Sequence, residues 1–289
     1  MSARRSRIRD TIVYVAFRLV VAVFSALPLG LAAGLSGWFW RTIAPTLPRH
    51  RRALDHLLVA FPQASLLERE RIARAMWENL GRTFAEFFHI ERILREKRID
   101  MVPAETWKAA AASGPFVICG LHLSNWELLA PACVGIGIPV VGVYQRVSNP
   151  LVNRWIYERR RPYYPGGLFD KSHETARTML KAAKSGACPS FLADLREGKG
   201  IQTPFFGRPA WSNPFPVTVA RTQNLPIYAI GLIRKPGERF ELRIAPVEVP
   251  HTSDRRADVR VGALHLQSQF EKFVREAPEQ WTWAHRRWD

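Results

Sequence analysis

The stretch Phe116-Val-Ile-Cys-Gly-Leu-His122-Leu-Ser-Asn-Trp-Glu127 predicts a short buried strand that ends at a histidine. The apolar run before His122 is too short for a buried helix and is rich in the residues that core strands prefer. Open α/β sheets place their chemistry at the carboxyl ends of the strands, where His122 falls. A helix over about Trp126 to Val134 then puts Glu127 one tight turn from the histidine.

Two interpretations of this stretch are open from these residues alone. In the first, Glu127 orients the ring of His122, which acts as a general base and removes a proton from a hydroxyl. In the second, Ser124 and Glu127 form a capping box at a helix start, and the histidine is a packed or surface residue. The rest of the chain favours the first interpretation.

The composition is that of a globular chain with a strongly basic surface. Its 289 residues are 47% hydrophobic, which is enough for one large domain with a full core. The net charge of +17 indicates anionic partners such as nucleic acid, an acidic carrier protein or a phospholipid surface. The 3 cysteines show no C-x-x-C spacing and are predicted to be reduced core residues, not disulfides or zinc ligands.

The N-terminal region contains a long uncharged stretch, Leu19 to Trp40. Its length suffices to cross a hydrocarbon core of about 30 Å, so residues 1–48 are predicted to be a retained membrane anchor and residues 49–289 the main domain. Pro28 leaves open one kinked span or two short helices. Basic residues flank both sides, so charge fixes no orientation, and an interfacial anchor or a buried helical hairpin are alternatives.

Strand-like and helix-like segments alternate after Gly114, which predicts an α/β fold with a mixed, largely parallel sheet flanked by helices. The strand-like segments are Phe116–Leu121, Pro139–Tyr144, Cys188–Ala193, Pro226–Ile233 and Phe240–Val247. The helix-like segments are Trp126–Val134, Pro150–Arg160, Ser172–Lys184, Pro216–Gln223 and Arg256–Arg275. No G-x-G-x-x-G, Walker or G-x-S-x-G element occurs, so nucleotide binding and serine-hydrolase chemistry lack their usual sequence support.

Polar residues follow two more of the predicted strands. Arg146 and Asn149 come after the second strand, and Asp194 and Arg196 come after the third. We expect them at the edge of the sheet that holds the histidine, as candidate substrate-binding residues. Each also has a structural alternative, because Asn149 before a proline is typical of a helix start and Asp194 with Arg196 can form a salt bridge.

Three consecutive arginines, Arg159, Arg160 and Arg161, stand near the predicted end of a helix. The planar guanidinium group suits a clamp on phosphate or carboxylate. The alternative is a solvated basic face that complements the helix dipole.

The C-terminal segment, Pro278 to Trp288, interleaves tryptophan with arginine. This pattern fits stacking on nucleic acid, seating at a membrane interface, or packing against the domain.

Taken in order, these motifs resemble the late acyltransferases of lipid A biosynthesis over nearly the whole chain. The resemblance rests on Leu27-Pro28, Asn79-Leu-Gly-Arg-Thr-Phe-Ala-Glu86, His122-x4-Glu127, Asn149-Pro-Leu, Pro204-Phe-Phe-Gly and Pro278-x-x-Trp-x-Trp-x-His-Arg-Arg. It implies a glycerolipid-acyltransferase-like fold. Members transfer a fatty acyl chain from an acyl carrier protein to a hydroxyl of a 3-hydroxyacyl chain on a lipid A precursor, at the cytoplasmic face of the Gram-negative inner membrane.

The resemblance also implies roles for particular residues and partners. His122 matches the family's base and Glu127 its orienting carboxylate, while Arg160 and Asp194 match residues that the family uses. It implies no cofactor and no metal ion. The expected partners are an acyl carrier protein, a lipid A precursor and an anionic membrane, and not nucleic acid.

The departures from the family pattern concern the substrate more than the reaction. Gln145, Arg146 and Asn153 differ from the usual residues. One alternative is therefore acyl transfer to another membrane glycolipid, as in the similar phosphatidylinositol mannoside acyltransferases, which use acyl-CoA. An alternative of another class is a membrane-anchored basic binding or scaffold protein.

In the acyltransferase interpretation, the apolar residues Phe205 and Phe206 are expected to face acyl chains.

Overall fold

The computed structural model describes residues 2–288, apart from the side chains of residues 2–6 and 173. The helices are α1 (Ser2–Ala26), α2 (Leu29–Ile43), α3 (Pro48–Ala60), α4 (Leu66–Glu86), α5 (Ile90–Arg95), α6 (Ala104–Ala112), α7 (Leu129–Gly135), α8 (Pro150–Arg160), α9 (His173–Lys184), α10 (Phe215–Gln223) and α11 (Arg255–Glu276). The strands are β1 (Ile99–Val102), β2 (Val117–Gly120), β3 (Val140–Tyr144), β4 (Leu168–Asp170), β5 (Cys188–Leu192), β6 (Ile201–Phe205), β7 (Arg208–Ser212), β8 (Ile227–Lys235) and β9 (Arg239–Pro246).

Seven strands form one sheet in the order β1-β9-β8-β2-β5-β3-β4. Neighbouring strands are parallel except β8 and β9, which form an antiparallel pair. All four residues of β2 are buried, as expected for a central strand covered on both faces. Strands β6 and β7 form a separate hairpin. The site residues predicted after β2, β3 and β5 therefore meet at one edge of the sheet.

Helices cover both faces of the sheet because successive strand residues point to opposite sides. Ile118 faces a core built with α5, α6 and α7, for example at Ile93 and Trp107. Val117 and Cys119 belong to the opposite core, which includes residues of α3, α4, α9, α10 and α11. The alternation predicted by the sequence thus becomes a three-layer arrangement.

The uncharged stretch Leu19–Trp40 covers the end of α1 and most of α2, two helices that meet at Leu27-Pro28. Helix α2 packs closely on α4: the Ser36 hydroxyl donates to the carbonyl of Gly81 at 2.7 Å, and a Cβ on Gly81 would lie 2.5 Å from the Ser36 carbonyl oxygen. Helix α1 packs on α8, where Phe17 meets Trp155 with ring centroids 5.1 Å apart. Among residues 2–288, no helix is both long and apolar enough to cross a membrane, so the predicted spanning anchor has no support.

The predicted α/β fold and its largely parallel sheet are confirmed. The five strand-like segments coincide with β2, β3, β5, β8 and β9, and the helix-like segments with α7, preceded by a 3-10 turn at Trp126–Leu128, and with α8 to α11. The sequence analysis missed β1, β4, α6 and the β6–β7 hairpin. The division into residues 1–48 and 49–289 stays a prediction.

Candidate active site

His122 lies just beyond β2, and Asp194 lies just beyond the neighbouring strand β5. The two strands are parallel, with Gly120 opposite Leu192, so residues two positions further along each strand come together. The Nδ1 atom of His122 is 2.8 Å from Oδ1 of Asp194, and the His122 backbone N–H donates to Oδ2 at 2.9 Å. The parallel register therefore builds a histidine–carboxylate pair at the edge of the sheet.

Asp194 is fully buried, and a third donor, the indole N–H of Trp281, reaches its Oδ2 at 2.7 Å. Burial acts to raise the pKa of this carboxyl, but the charge and hydrogen bonds of His122 and the hydrogen bond from Trp281 outweigh it and hold the pKa below its ordinary value. An ionised Asp194 accepts Nδ1–H and leaves Nε2 of His122 as a proton acceptor. The sequence analysis expected Asp194 to bind substrate; in the structure both of its oxygens accept hydrogen bonds from the protein, and its role toward substrate stays a prediction.

Glu127 does not make the contact that the sequence analysis expected of it. Its two oxygens bind the guanidinium of Arg160, with Nε to Oε2 at 2.9 Å and Nη2 to Oε1 at 2.5 Å. The Nδ1 position of His122 is already taken by Asp194. The structure therefore assigns the ring-orienting contact to Asp194, while Glu127 holds the end of α8 at the wall of the site.

The capping-box interpretation of Ser124 and Glu127 is wrong as well. Asn125 caps the 3-10 turn, since its Oδ1 accepts from the backbone N–H of Glu127 at 3.2 Å. Ser124 is buried with φ of 54°, and its hydroxyl has no hydrogen-bond partner among residues 2–288. The amide of Asn125 donates to Glu86 at 2.9 Å, so the loop after His122 is fixed to α4.

The other predicted binding residues lie at the same edge with different partners. Arg146 is exposed and pairs with Asp170 at 2.9 Å. Asn149 serves the helix start, as its alternative proposed, because its Oδ1 accepts from two N–H groups of the first turn of α8 and its Nδ2 donates to Asp10. Arg196 lines the cavity described next. Of these three, Arg196 is the one at the wall of the site.

A cavity of about 620 Å³ opens beside His122 at the carboxyl ends of β2, β3 and β5. Its wall contains both polar and apolar side chains. The lining includes His122, Trp126, Glu127, Leu129, Val143, Tyr144, Arg160, Tyr164, Thr175, Phe191, Leu192, Leu195, Arg196 and Phe215. Phe205 and Phe206 are not among them, since both are buried against Trp281 and Trp283. The expectation that these two rings face acyl chains is therefore wrong.

Comparison with known proteins gives this arrangement its family. The family described as bacterial lipid A biosynthesis acyltransferase matches residues 2–289. The chain belongs to this family. It is also 26% identical over 241 residues to the lipid A biosynthesis lauroyltransferase of Escherichia coli (strain K12), covering 80% of this chain and 76% of that protein. The chain is thus an O-acyltransferase of lipid A biosynthesis.

The C-terminal segment of this acyltransferase packs against the domain and completes the site. Trp281 and Trp283 are fully buried, and Trp281 donates to the carboxylate of Asp194 behind His122. Arg287 is buried too and donates to the carbonyl of Trp211 and to Gln267. His285, which sequence reasoning passed over, stands beside His122 with ring centroids 5.8 Å apart. Its only signal in the sequence was its place in the aromatic tail motif.

The cysteines of the lipid A acyltransferase offer no nucleophile. Cys119, Cys133 and Cys188 are buried, and burial raises the pKa of each thiol. A thiol, unlike a thiolate, is a poor nucleophile and a poor metal ligand. Among residues 2–288, no group of three or more His, Cys, Asp or Glu side chains is placed to hold a metal ion.

Proposed function

We propose that the protein transfers a fatty acyl chain from an acyl carrier protein thioester to the hydroxyl of a 3-hydroxyacyl chain on a lipid A precursor, with His122 as the general base. The observation that carries the proposal is the hydrogen bond between His122 and the buried Asp194 at the mouth of a partly apolar cavity. Membership of the lipid A acyltransferase family supports the reaction class.

The proposed reaction has two proton transfers. Nε2 of His122 removes the proton of the acceptor hydroxyl while the oxygen attacks the thioester carbonyl carbon. Asp194 stabilises the imidazolium that forms. The tetrahedral intermediate then collapses, the carbon–sulfur bond breaks, and the imidazolium returns its proton to the leaving sulfur. General-base catalysis of this kind contributes roughly 10² to 10⁴ in rate.

The proposed seat of the donor acyl chain is the apolar part of the cavity. Val143, Phe191, Leu195 and Phe215 line this part. Apolar walls bind a hydrocarbon chain because they remove it from water. The donor carrier is acidic in this proposal, which agrees with the net charge of +17.

We further propose that the enzyme works at the cytoplasmic face of the inner membrane of a Gram-negative cell and attaches to it through α1 and α2. Both helices expose large apolar side chains, and the exposed fraction reaches 64% at Leu19 and 65% at Trp38. An apolar helix surface next to arginines is typical of attachment at an anionic membrane interface. This location also supplies the lipid acceptor.

The test replaces the proposed base. We expect His122→Ala to lower acyl transfer by at least about 10²-fold, because proton removal is lost. Acyl carrier protein thioester and acyl-CoA are compared as donors, with a lipid A precursor as acceptor. His251→Ala, at an exposed histidine before α11, is the control. Near-normal transfer by His122→Ala contradicts the mechanism, and transfer from acyl-CoA alone contradicts the proposed donor.

A further inference from the structure

The C-terminal segment and α3 bring three basic side chains together beside the proposed base. The Nη1 atom of Arg52 donates to the carbonyl of Ala284, next to His285, at 3.3 Å. His56, four residues after Arg52, binds the carbonyl of Trp283, so this face of α3 meets the tail. Arg49 lies three residues before Arg52 and thus on the same face. We call Arg49, Arg52 and His285 the tail-side cluster.

No carboxylate neutralises the tail-side cluster within the described residues. Arg49 and Arg52 are exposed and form no ion pair with any Asp or Glu of residues 2–288, including Asp55 on the same helix. Other arginines of the chain are tied to carboxylates, as Arg160 is to Glu127. Two guanidinium groups that lack a protein anion are free to bind one from outside.

His285 adds a neutral donor to the two charges. The pKa of its imidazole lies below the ordinary value, because the inner side of the ring loses water and because charge on His122, Arg49 and Arg52 opposes protonation, partly offset by Asp194. The residue as a whole stays exposed. A neutral His285 can donate a hydrogen bond without adding a third charge next to His122, which itself becomes charged during the reaction.

The tail-side cluster continues the exposed apolar surface of α2. Trp38 and Phe39 are 65% and 51% exposed, and Ile43 and Leu47 lead directly into α3. Tryptophan next to arginine is typical of the level of lipid headgroups at a membrane interface. The anion that reaches this position is therefore one carried by a lipid and not one carried by a soluble protein.

We propose that the tail-side cluster binds a phosphate group of the acceptor lipid and so presents the acceptor hydroxyl to His122. The inference rests on the proposed function and names a binding subsite for its acceptor. A hydroxyl on the third carbon of an acyl chain is only a few bonds from the sugar that carries the chain. The ring centroids of His122 and His285 are 5.8 Å apart, a distance comparable to the short separation between that hydroxyl and the sugar.

The tail-side cluster is also better suited to bind phosphate than Arg160 is. The sequence analysis expected a phosphate clamp at Arg160, but Glu127 occupies two nitrogens of that guanidinium, and the side chain is three-quarters buried. Arg49 and Arg52 have the planar forks that suit phosphate and lack a competing carboxylate. The proposal therefore assigns phosphate recognition to the tail-side cluster and not to Arg160.

The experiment compares Arg49→Gln/Arg52→Gln and His285→Gln with wild type in steady state, varying acceptor and donor in turn. We expect the double variant to raise the acceptor KM about ten-fold or more, with the donor KM unchanged. Arg51→Gln is the control, since it removes one charge from another face of α3. The wild-type preference for a phosphorylated over a dephosphorylated acceptor should disappear in the double variant.

Several outcomes overturn the subsite. They are an unchanged acceptor KM, an equal loss with phosphorylated and dephosphorylated acceptor, or a rise in the donor KM, which would assign the cluster to a phosphate of the donor. Sedimentation with phosphatidylcholine vesicles that contain phosphorylated or dephosphorylated lipid A precursor gives a second readout. If wild type shows no transfer, the proposed function fails, while the subsite stands or falls on whether Arg49→Gln/Arg52→Gln abolishes the phosphate-dependent binding.

Discussion

At the scale of single residues, the histidine–carboxylate pair gives the sharpest expectation. Asp194→Asn keeps the shape of the side chain but removes the charge that orients and stabilises His122. We expect kcat to fall by about 10² to 10⁴, as for loss of the carboxylate in comparable catalytic arrangements. Asp258→Asn is the control, because that buried carboxylate pairs with Arg221 at 2.7 Å and lies outside the cavity. A near-normal kcat for Asp194→Asn would sink the assignment.

Glu127 and Arg160 form the second residue-scale test. Removing either partner leaves the other's largely buried charge without its ion pair, so we expect both Glu127→Gln and Arg160→Gln to lower activity. The double variant should be no less active than the less active of the two single variants. This corresponds to a coupling of about 1 kcal/mol or more in kcat/KM. If Glu127 instead acts on His122 directly, Glu127→Gln will still lower activity in the Arg160→Gln background.

The sequence points to His122 as the proposed base, but the carboxylate that its ring contacts in the structure, Asp194, could not be found from spacing. Glu127 is five residues from His122 along the chain, whereas Asp194 is 72 residues away. Spacing along the chain reports local geometry only. The proximity of Asp194 depends on β2 and β5 being neighbours, and the strand order β8-β2-β5-β3 is fixed by long-range packing that one sequence does not display.

At the scale of elements, the contact between α2 and α4 predicts a difference between two glycines. Gly81→Ala forces a methyl against the Ser36 carbonyl, so we expect it to lower the free energy of unfolding by about 1–2 kcal/mol after its gain in helix propensity. Gly34→Ala, in α2, meets nothing within 4 Å and should be neutral or stabilising by up to about 1 kcal/mol. Thermal unfolding of both variants tests this, and equal Tm values would contradict the close approach.

The contact between α3 and the tail predicts a pH dependence of stability. Burial holds the pKa of His56 below its ordinary value of 6.5 despite the hydrogen bond to Trp283. Below about pH 6.5 the unfolded chain binds a proton that the folded chain resists, so stability is full above that pH and falls as the pH decreases. We expect His56→Asn, which retains a hydrogen-bond donor, to show a smaller fall between about pH 7.5 and 5.5. Parallel unfolding curves for variant and wild type would refute this role.

The elements that the sequence predicted have a clear local pattern, and the elements that it missed do not. Strands such as β2 and β8 are buried runs of apolar residues, and α8 begins at an Asn-Pro signal that the structure uses as a cap. Strand β4 has only three residues, and the β6–β7 hairpin owes its place to buried contacts with α11 and the tail. Short or laterally supported strands carry too little local pattern to be found.

At the scale of the whole molecule, the exposed apolar surface predicts where the protein sits. Trp38→Ser/Phe39→Ser removes two large side chains from the outer surface of α2. We expect sedimentation with anionic vesicles to weaken at least about ten-fold, because less apolar area enters the interface. Val261→Ser/Leu264→Ser, on exposed positions of α11, is the matched control. Equal loss in the two variants would contradict attachment through the N-terminal helices.

The buried C-terminal segment is also the last part of the site to be synthesised. Trp281 and the residues after it are synthesised later than the sheet, yet the indole of Trp281 is one of the three groups that hold Asp194. A nascent chain that has folded its strands before this segment docks therefore lacks one of the three hydrogen bonds to Asp194. We therefore expect a chain that ends between α11 and Trp281 to lack acyl transfer, because the indole donor to Asp194 is missing.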